Sequence, residues 1–235
     1  MKADFAADEA GAISTLGVGQ TRQISPINEQ NGGVTSLISY PARPIQGGKL
    51  DRAPKKIGLW YAQPKYNGWR AVVHCPSGTM WNRHGGRLSI AHEFDAALRE
   101  LKKLSATGLV WADCEAMERR HNVGRRSLIV LDWIPDSGSP TYEERRSFLE
   151  QFLPLERMSL GEGTMPEDSV LLAPSIAETN GQALQLYRSL EAINRSVLTD
   201  VFEGVVMKRA VSAYPVQLRS PDEKCRFWQK HRFLM

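Results

Sequence analysis

The stretch Lys65-Tyr66-Asn67-Gly68-Trp69-Arg70 decides how the rest of this 235-residue chain is read. It sets a lysine beside a glycine turn, with an arginine across the start of a strand. An amine so placed is a candidate nucleophile held near phosphate, because lysine attacks as the neutral amine and neighbouring cations favour that form. Working outward, three more segments supply complementary groups. Glu203-Gly204-Val205-Val206-Met207-Lys208 puts a carboxylate before an apolar strand that ends in lysine. Trp228-Gln229-Lys230-His231-Arg232 puts two cations two residues apart, hence on one face of a strand. Asp113-Cys114-Glu115 closes a strand with two carboxylates. Carboxylates serve metals and sugar hydroxyls, and cations serve phosphates.

Around these segments, from residue 57 onward, the pattern is that of mixed helix and antiparallel strand. Trp69 to His74 and Thr79 to Asn82 read as a hairpin around Pro76-Ser77-Gly78. Phe94, Ala97, Leu98, Leu101 and Leu104 recur at helical spacing, with Gly108 as the stop. Leu109 to Glu115 and Ser127 to Trp133 are strand candidates. Thr141-x-x-Glu144 is a capping-box signature before a helix bearing Phe148, Leu149, Phe152 and Leu153; Thr179-x-x-Gln182 is a second, before Ala183, Leu186, Tyr187, Leu190 and Ile193. Strands are expected again at Phe202 to Lys208 and Cys225 to Lys230. Because helices and strands do not strictly alternate, the class is α+β rather than a doubly wound sheet. Residues 1–40, rich in Gly, Ala, Ser, Asn and Gln, read as a flexible arm with a short helix near its start, and Tyr40 to Pro54 as an extended lead-in.

Composition narrows the function classes. At 42% hydrophobic and 24% charged residues, the chain reads as soluble and globular. No apolar run approaches the roughly 18–20 residues of a membrane span, so no membrane partner is expected. No secretory leader is expected either. Cys75, Cys114 and Cys225 lie far apart without a C-x-x-C pair, which argues against a disulfide scaffold or zinc ribbon and suits a reducing cytoplasm. The five histidines lack metal-ligand spacing and read as structural or surface residues. The net charge is only +4, but residues 205–235 carry seven Lys/Arg against Asp222 and Glu223, and Lys49, Arg52, Lys55 and Lys56 precede the lysine hexapeptide. Local positive charge of this kind points to a phosphate-rich partner.

Taken in order, these motifs resemble those of the covalent nucleotidyltransferases: ATP-dependent DNA ligases, RNA ligases and mRNA capping enzymes. Lys65 to Arg70 is similar to K-x-D-G-x-R, with Asn67 in place of aspartate. Trp81-Asn82-Arg83-His84-Gly85 is similar to the aromatic plus S/N-R-x-G element, and Asp113-Cys114-Glu115 to D-G-E. Ile129-Val130-Leu131-Asp132-Trp133 is similar to the hydrophobic strand ending in F-D, with leucine at the aromatic position. Glu203 to Lys208 matches E-G-V-V-x-K, and Trp228 to Arg232 resembles W-x-K-x-K with arginine last.

The resemblance implies an α+β, ATP-grasp-like adenylation domain over residues 41–235, antiparallel sheets flanked by helices, with the arm at 1–40 and no OB-fold domain. It implies that Lys65 takes AMP from ATP, passes it to the 5′-phosphate of a nick, and that a 3′-hydroxyl then displaces it. Arg70 and Arg83 would hold phosphate oxygens, Glu115 the ribose, Gln63 the adenine amine, and Leu131 the base face. Lys208 and Lys230 would offset charge on the α-phosphate. Glu203, aided by Asn67, would position Mg²⁺ or Mn²⁺, and Arg219 and Arg232 would meet nucleic acid. Asn67 keeps an acceptor oxygen but loses a negative charge. An ATP-dependent DNA ligase acting on nicked double-stranded DNA leads, as a monomer in the cytoplasm, or in a host's cytoplasm if viral, serving repair or replication. An accessory subunit could replace the OB-fold. The alternatives are an RNA ligase acting on RNA or a hybrid, a capping guanylyltransferase, or a non-catalytic nick- or end-binding module.

Overall fold

The computed structural model of the chain describes residues 41–117, 120–216 and 223–233. The expected arm at 1–40 and its short helix lie outside the described residues. Along the chain run β1 (Arg43–Gln46), β2 (Trp60–Tyr66), β3 (Trp69–His74), β4 (Thr79–Trp81), α1 (Asp95–Leu104), β5 (Trp111–Met117), β6 (Ser127–Ile134), α2 (Tyr142–Glu150), β7 (Val170–Leu172), β8 (Ile176–Glu178), α3 (Gln182–Val197), β9 (Phe202–Arg209) and β10 (Lys224–Arg232). The strands form two five-stranded sheets, ordered β1-β10-β9-β2-β8 and β4-β3-β5-β6-β7. Pairing is antiparallel except at β1–β10 and β6–β7. This is the α+β class the sequence leads one to expect, with one parallel pair in each sheet.

Each sheet has its own core. The first buries Trp60, Ala62 and Tyr66 of β2 and Val205 and Met207 of β9 against Ala183, Leu186, Tyr187 and Leu190 of α3. The second buries Ala71 and Val73 of β3 and Leu128 and Val130 of β6 against Ala97, Leu98 and Leu101 of α1 and Leu149 of α2. Apolar side chains at i, i+3, i+4 and i+7 put the burial on one stripe of α3, as its sequence requires. Strand β2 is buried nearly throughout, yet contains Pro64. That proline lies past Ala62, the last residue paired with β8, so the N–H it lacks is not missed on that edge.

The helix starts show where local signals decide and where they do not. The Thr141 capping box forms: its backbone N–H donates to Glu144 Oε2 at 2.7 Å, and Glu144 N–H donates to Thr141 Oγ1 at 3.3 Å. Thr179 does not cap. Helix α3 begins two residues later, behind Gly181, and Glu178 at the end of β8 accepts from the N–H groups of Gly181 at 2.6 Å and Ala183 at 2.5 Å. A carboxylate delivered by the preceding strand outcompetes a hydroxyl where the helix dipole favours negative charge. Gln182 Oε1 meanwhile accepts from Thr179 and Asn180 N–H. The strand expected at Leu109 to Glu115 is shifted two residues onward, because Gly108 is followed by an irregular pair before β5.

The two sheets are tied together by a buried ionic group. Asp132 of β6 accepts from Arg145 Nε of α2 at 2.8 Å and from Lys208 Nζ of β9 at 3.1 Å, and all three are at most 2% exposed. Arg145 Nη1 also donates to the carbonyls of Pro140 at 2.6 Å and Ser212 at 3.0 Å. Burial alone would raise the pKa of Asp132, but Lys208 and Arg145 hold it below the ordinary carboxylate range. Removing one member of such a group strands a buried charge, which costs about 3–5 kcal/mol. Arg145→Met is therefore expected to lose about that much in urea denaturation at neutral pH. Glu150→Ala, which breaks only the surface pair with Arg146, should stay within about 0.5 kcal/mol.

Candidate active site

Lys65 stands one residue before the end of β2, opposite Gly204 of β9 in the antiparallel register. That pairing brings its amine to Glu203, with Nζ donating to Oε2 at 2.5 Å. Arg232 Nη2 of β10 reaches the same oxygen at 3.0 Å, and Arg120 Nη1 lies 3.5 Å from the other. Burial pushes the Glu203 carboxyl up, but these three cations outweigh it and hold the group below its ordinary value. Arg120 Nη1 also donates to Asn67 Oδ1 at 3.0 Å, while Asn67 Nδ2 donates to the carbonyl of Asp200 at 2.7 Å.

Asn67 and Gly68 carry the chain from the first sheet to the second. A Cβ on Gly68 would lie 2.5 Å from the carbonyl oxygen of Ala116, so only glycine permits this approach. Its N–H donates to Glu115 Oε1 at 3.1 Å, which turns the carboxylate of β5 toward the lysine. Burial raises the Glu115 pKa even though Lys65 and Arg70 pull it down. Arg70 is held in a two-nitrogen grip by Asp113, to which Tyr214 Oη also donates at 2.9 Å. Burial works against the Arg70 charge, and Asp113 more than compensates.

Between the sheets lies a cleft lined by Gln63, Lys65, Arg70, Glu115, Leu131, Lys208 and Trp228, with Pro44 of β1 at its edge. Gln63 Nε2 donates to the carbonyl of Leu131 at 3.2 Å, and Lys208 Nζ donates to the same oxygen at 2.8 Å. With one of its two N–H donors committed, Gln63 keeps the other and its side-chain oxygen. Lys208 lies over the rings of Trp228, 4.2 Å from the centroid, and Tyr142, at 4.9 Å. Burial brings its pKa from the ordinary 10.5 down to about 8, against the pull of Asp132.

The outer rim is cationic. Lys230 is half-buried, and burial, then Arg232, Lys65, Arg43 and Arg83, all lower its pKa. Arg83 stands in the turn after β4, its Nε 3.0 Å from His84 Nε2. Of the residues singled out from sequence, Gln63, Lys65, Arg70, Glu115, Leu131 and Lys208 share the cleft, and Asn67, Glu203, Lys230 and Arg232 stand about its mouth. Arg219 lies outside the described residues. Arg120 was given no role from sequence, and neither was Arg145 or Tyr214; Trp228 counted only as the tryptophan of its motif. Arg120 carried no motif signal, and the partners of Arg70 and Lys208 are distant in sequence. Among the described residues, no group of three or more His, Cys, Asp or Glu gathers into a metal cage, and no helix is long and apolar enough to cross a membrane.

No protein-family model matches the sequence, and no curated protein matches it. Solved structures do. The chain Pmar-Lig_Pre. is 15% identical, with 84% of this chain and 47% of that one covered at a TM-score of 0.51. The ligase domain of LigD from M. tuberculosis is 19% identical, with 83% and 59% covered at 0.49. The ATP-dependent DNA ligase from bacteriophage T7, in complex with ATP, is 15% identical, with 82% and 68% covered at 0.49. This chain thus spans about half the length of the first. At such identities the likeness concerns the fold. Over the described residues, the two sheets and three helices of this chain share the fold of that first chain, Pmar-Lig_Pre..

Proposed function

We propose that the chain is an ATP-dependent DNA ligase, or the adenylylating part of one, working through a lysyl-AMP intermediate. The observation that carries this is the Lys65 amine held against Glu203, at the meeting point of a cleft that sets Leu131 and Trp228 among charged side chains and a cationic rim. The cleft suits a base and ribose, and the rim suits phosphates. In the first step Lys65 Nζ bonds to the α-phosphorus of ATP as the bond to pyrophosphate breaks, and the amine proton departs. In the second, a 5′-phosphate oxygen of nicked duplex DNA displaces Lys65 and takes the AMP. In the third, the 3′-hydroxyl attacks that 5′-phosphorus and AMP leaves. Such transfers depend mostly on positioning and on charge stabilisation.

Mg²⁺ usually keeps several waters and binds through one or two protein oxygens plus substrate phosphates. Glu203 supplies a carboxylate of that kind and would hold it, whereas the Asn67 side-chain oxygen is engaged by Arg120. When bound, the ion would offset charge on the phosphates. Glu115 is placed to accept from ribose hydroxyls. Gln63 gives base selectivity a simple basis where its bond to the Leu131 carbonyl sets the amide's orientation, its side-chain oxygen then accepting from the amine of adenine. A site built around such a hydrogen bond rejects the analogue that leaves it unpaired.

Incubation with Mg²⁺ and α-labelled ATP or GTP, followed by denaturation, tests the reading. A band from ATP alone, absent in Lys65→Ala, is expected, together with sealing of nicked DNA. Sealing of RNA only would move the assignment to an RNA ligase, labelling from GTP would favour a capping enzyme, and DNA binding without label or sealing would leave an end-binding module. Gln63→Ala should raise the KM for ATP about tenfold and narrow the preference over GTP. The titration of Lys208 gives a third test. Its charge is present below about pH 8 and absent above, so transfer that uses this charge should decline as pH rises through about 8. Stability should move the other way. The folded pKa lies below the unfolded 10.5, so the unfolded state binds more protons between them, and stability should rise from about pH 8 to 10.5. Urea denaturation across that window, with Lys208→Met as the variant lacking the rise, measures it.

A further inference from the structure

Glu203 is one carboxylate shared, among the described residues, by three cations: Lys65 of β2, Arg232 of β10 and Arg120 in the segment after β5. Even with Glu115 also facing Lys65, three cations around one shared carboxylate leave the mouth of the cleft net positive, and Lys230 stands nearby. An unbalanced cationic cluster open to solvent is an anion site. Lys65, Arg232 and Lys230 are accounted for by the motifs already described. Arg120 is not.

Its geometry distinguishes it from the other two. The Arg120 side chain is 51% exposed, whereas that of Glu203 is 10% exposed. A single nitrogen, Nη1, makes both contacts, to Asn67 Oδ1 at 3.0 Å and Glu203 Oε1 at 3.5 Å. Asn67 is itself fixed by its donation to the carbonyl of Asp200. A neutral amide therefore orients the guanidinium without cancelling its charge. An aspartate in place of Asn67 would form an ion pair with Arg120 and spend that charge internally. A guanidinium has five N–H donors in a fixed fork matched to phosphate oxygens, so one anchored nitrogen leaves donors to reach outward. Asparagine at 67 and arginine at 120 are two halves of one arrangement.

We propose that Arg120 is a phosphate-binding residue of the Lys65 site, aimed by Asn67 so that its guanidinium takes a substrate phosphate oxygen beside the reactive amine. This rests on reading the site as one that transfers AMP from ATP to a DNA end. The phosphate belongs either to the triphosphate of ATP or to the 5′ end of the nicked strand. Both present the same oxygens, and binding experiments separate them.

The full chain and its Arg120→Ala and Arg120→Lys variants would be titrated with three probes: a non-hydrolysable ATP analogue, nicked duplex DNA with a 5′-phosphate, and the same duplex with a 5′-hydroxyl. Arg120→Ala should weaken one phosphate-bearing probe by about tenfold or more, the effect of one charge-assisted hydrogen bond, and change the 5′-hydroxyl duplex by no more than about twofold. Arg120→Lys should recover part of the loss. A loss confined to the ATP analogue assigns the triphosphate, and one confined to the 5′-phosphorylated duplex assigns the strand end. Unchanged binding of all three probes overturns the proposal. So does an equal loss for the two duplexes with the ATP analogue unaffected, since that is surface charge alone. Because the side chain is half exposed, the melting temperature should be unchanged. If wild-type protein neither labels nor seals, the ligase reading fails while the binding titrations still decide the role of Arg120.

Discussion

Everything at the site depends on one close approach. At Gly204 the strands β2, β9 and β10 converge, with Lys65 opposite it on one side and Arg232 on the other. The backbone there has φ of +136°, and a Cβ would fall 2.0 Å from the carbonyl oxygen of His231. No side chain fits, and L-residues rarely adopt that conformation. The glycine thus fixes three neighbours together: Lys65 on β2, Glu203 one residue before it on β9, and Arg232 on β10. A lysine, its carboxylate partner and an arginine arrive in one place because three strands share one position without a side chain.

Gly68 applies the same constraint at the crossing between the sheets. Its N–H orients Glu115, and its missing Cβ allows β3 and β5 to pair close to the lysine. The two glycines place the chemistry at the seam between two separately packed cores, while Asp132 locks Arg145 and Lys208 across that seam. The site combines a floor that resists movement with a rim of longer, more exposed side chains.

What the sequence revealed follows from how far apart the interacting residues are. The Pro76-Ser77-Gly78 hairpin, the Thr141 capping box and the helical stripe of α1 are decided within a few residues and are found where expected, although the helix behind Thr141 ends at Glu150, short of the Phe152 and Leu153 expected on it. Thr179 fails as a cap because a strand residue, Glu178, takes the Gly181 and Ala183 N–H groups at the helix start. Strand β1 read only as an extended lead-in, since its place as a parallel edge of the first sheet depends on β10, about 180 residues further on. The ordered motifs named most of the residues around the cleft, but not how they pair. Asp113 on Arg70, and Asp132 on Lys208, are contacts between strands that no local pattern encodes.

The pairing matters because it separates two kinds of cation. Arg70 and Lys208 are buried and engaged by carboxylates, and their charges are largely spent within the protein. Burial without full compensation is what brings Lys208 down to about 8. Lys230, Arg232 and Arg120 lie nearer solvent, where Glu203 alone cannot balance them together with Lys65. On the proposed function a phosphate-bearing substrate would meet the second group first, its own negative charge adding to that of Glu203. If the chain adenylylates as proposed, the first group would act as a preset field inside the cleft, needing no rearrangement on binding. Asparagine at 67 fits this division, since an acid there would have drawn Arg120 from the second group into the first.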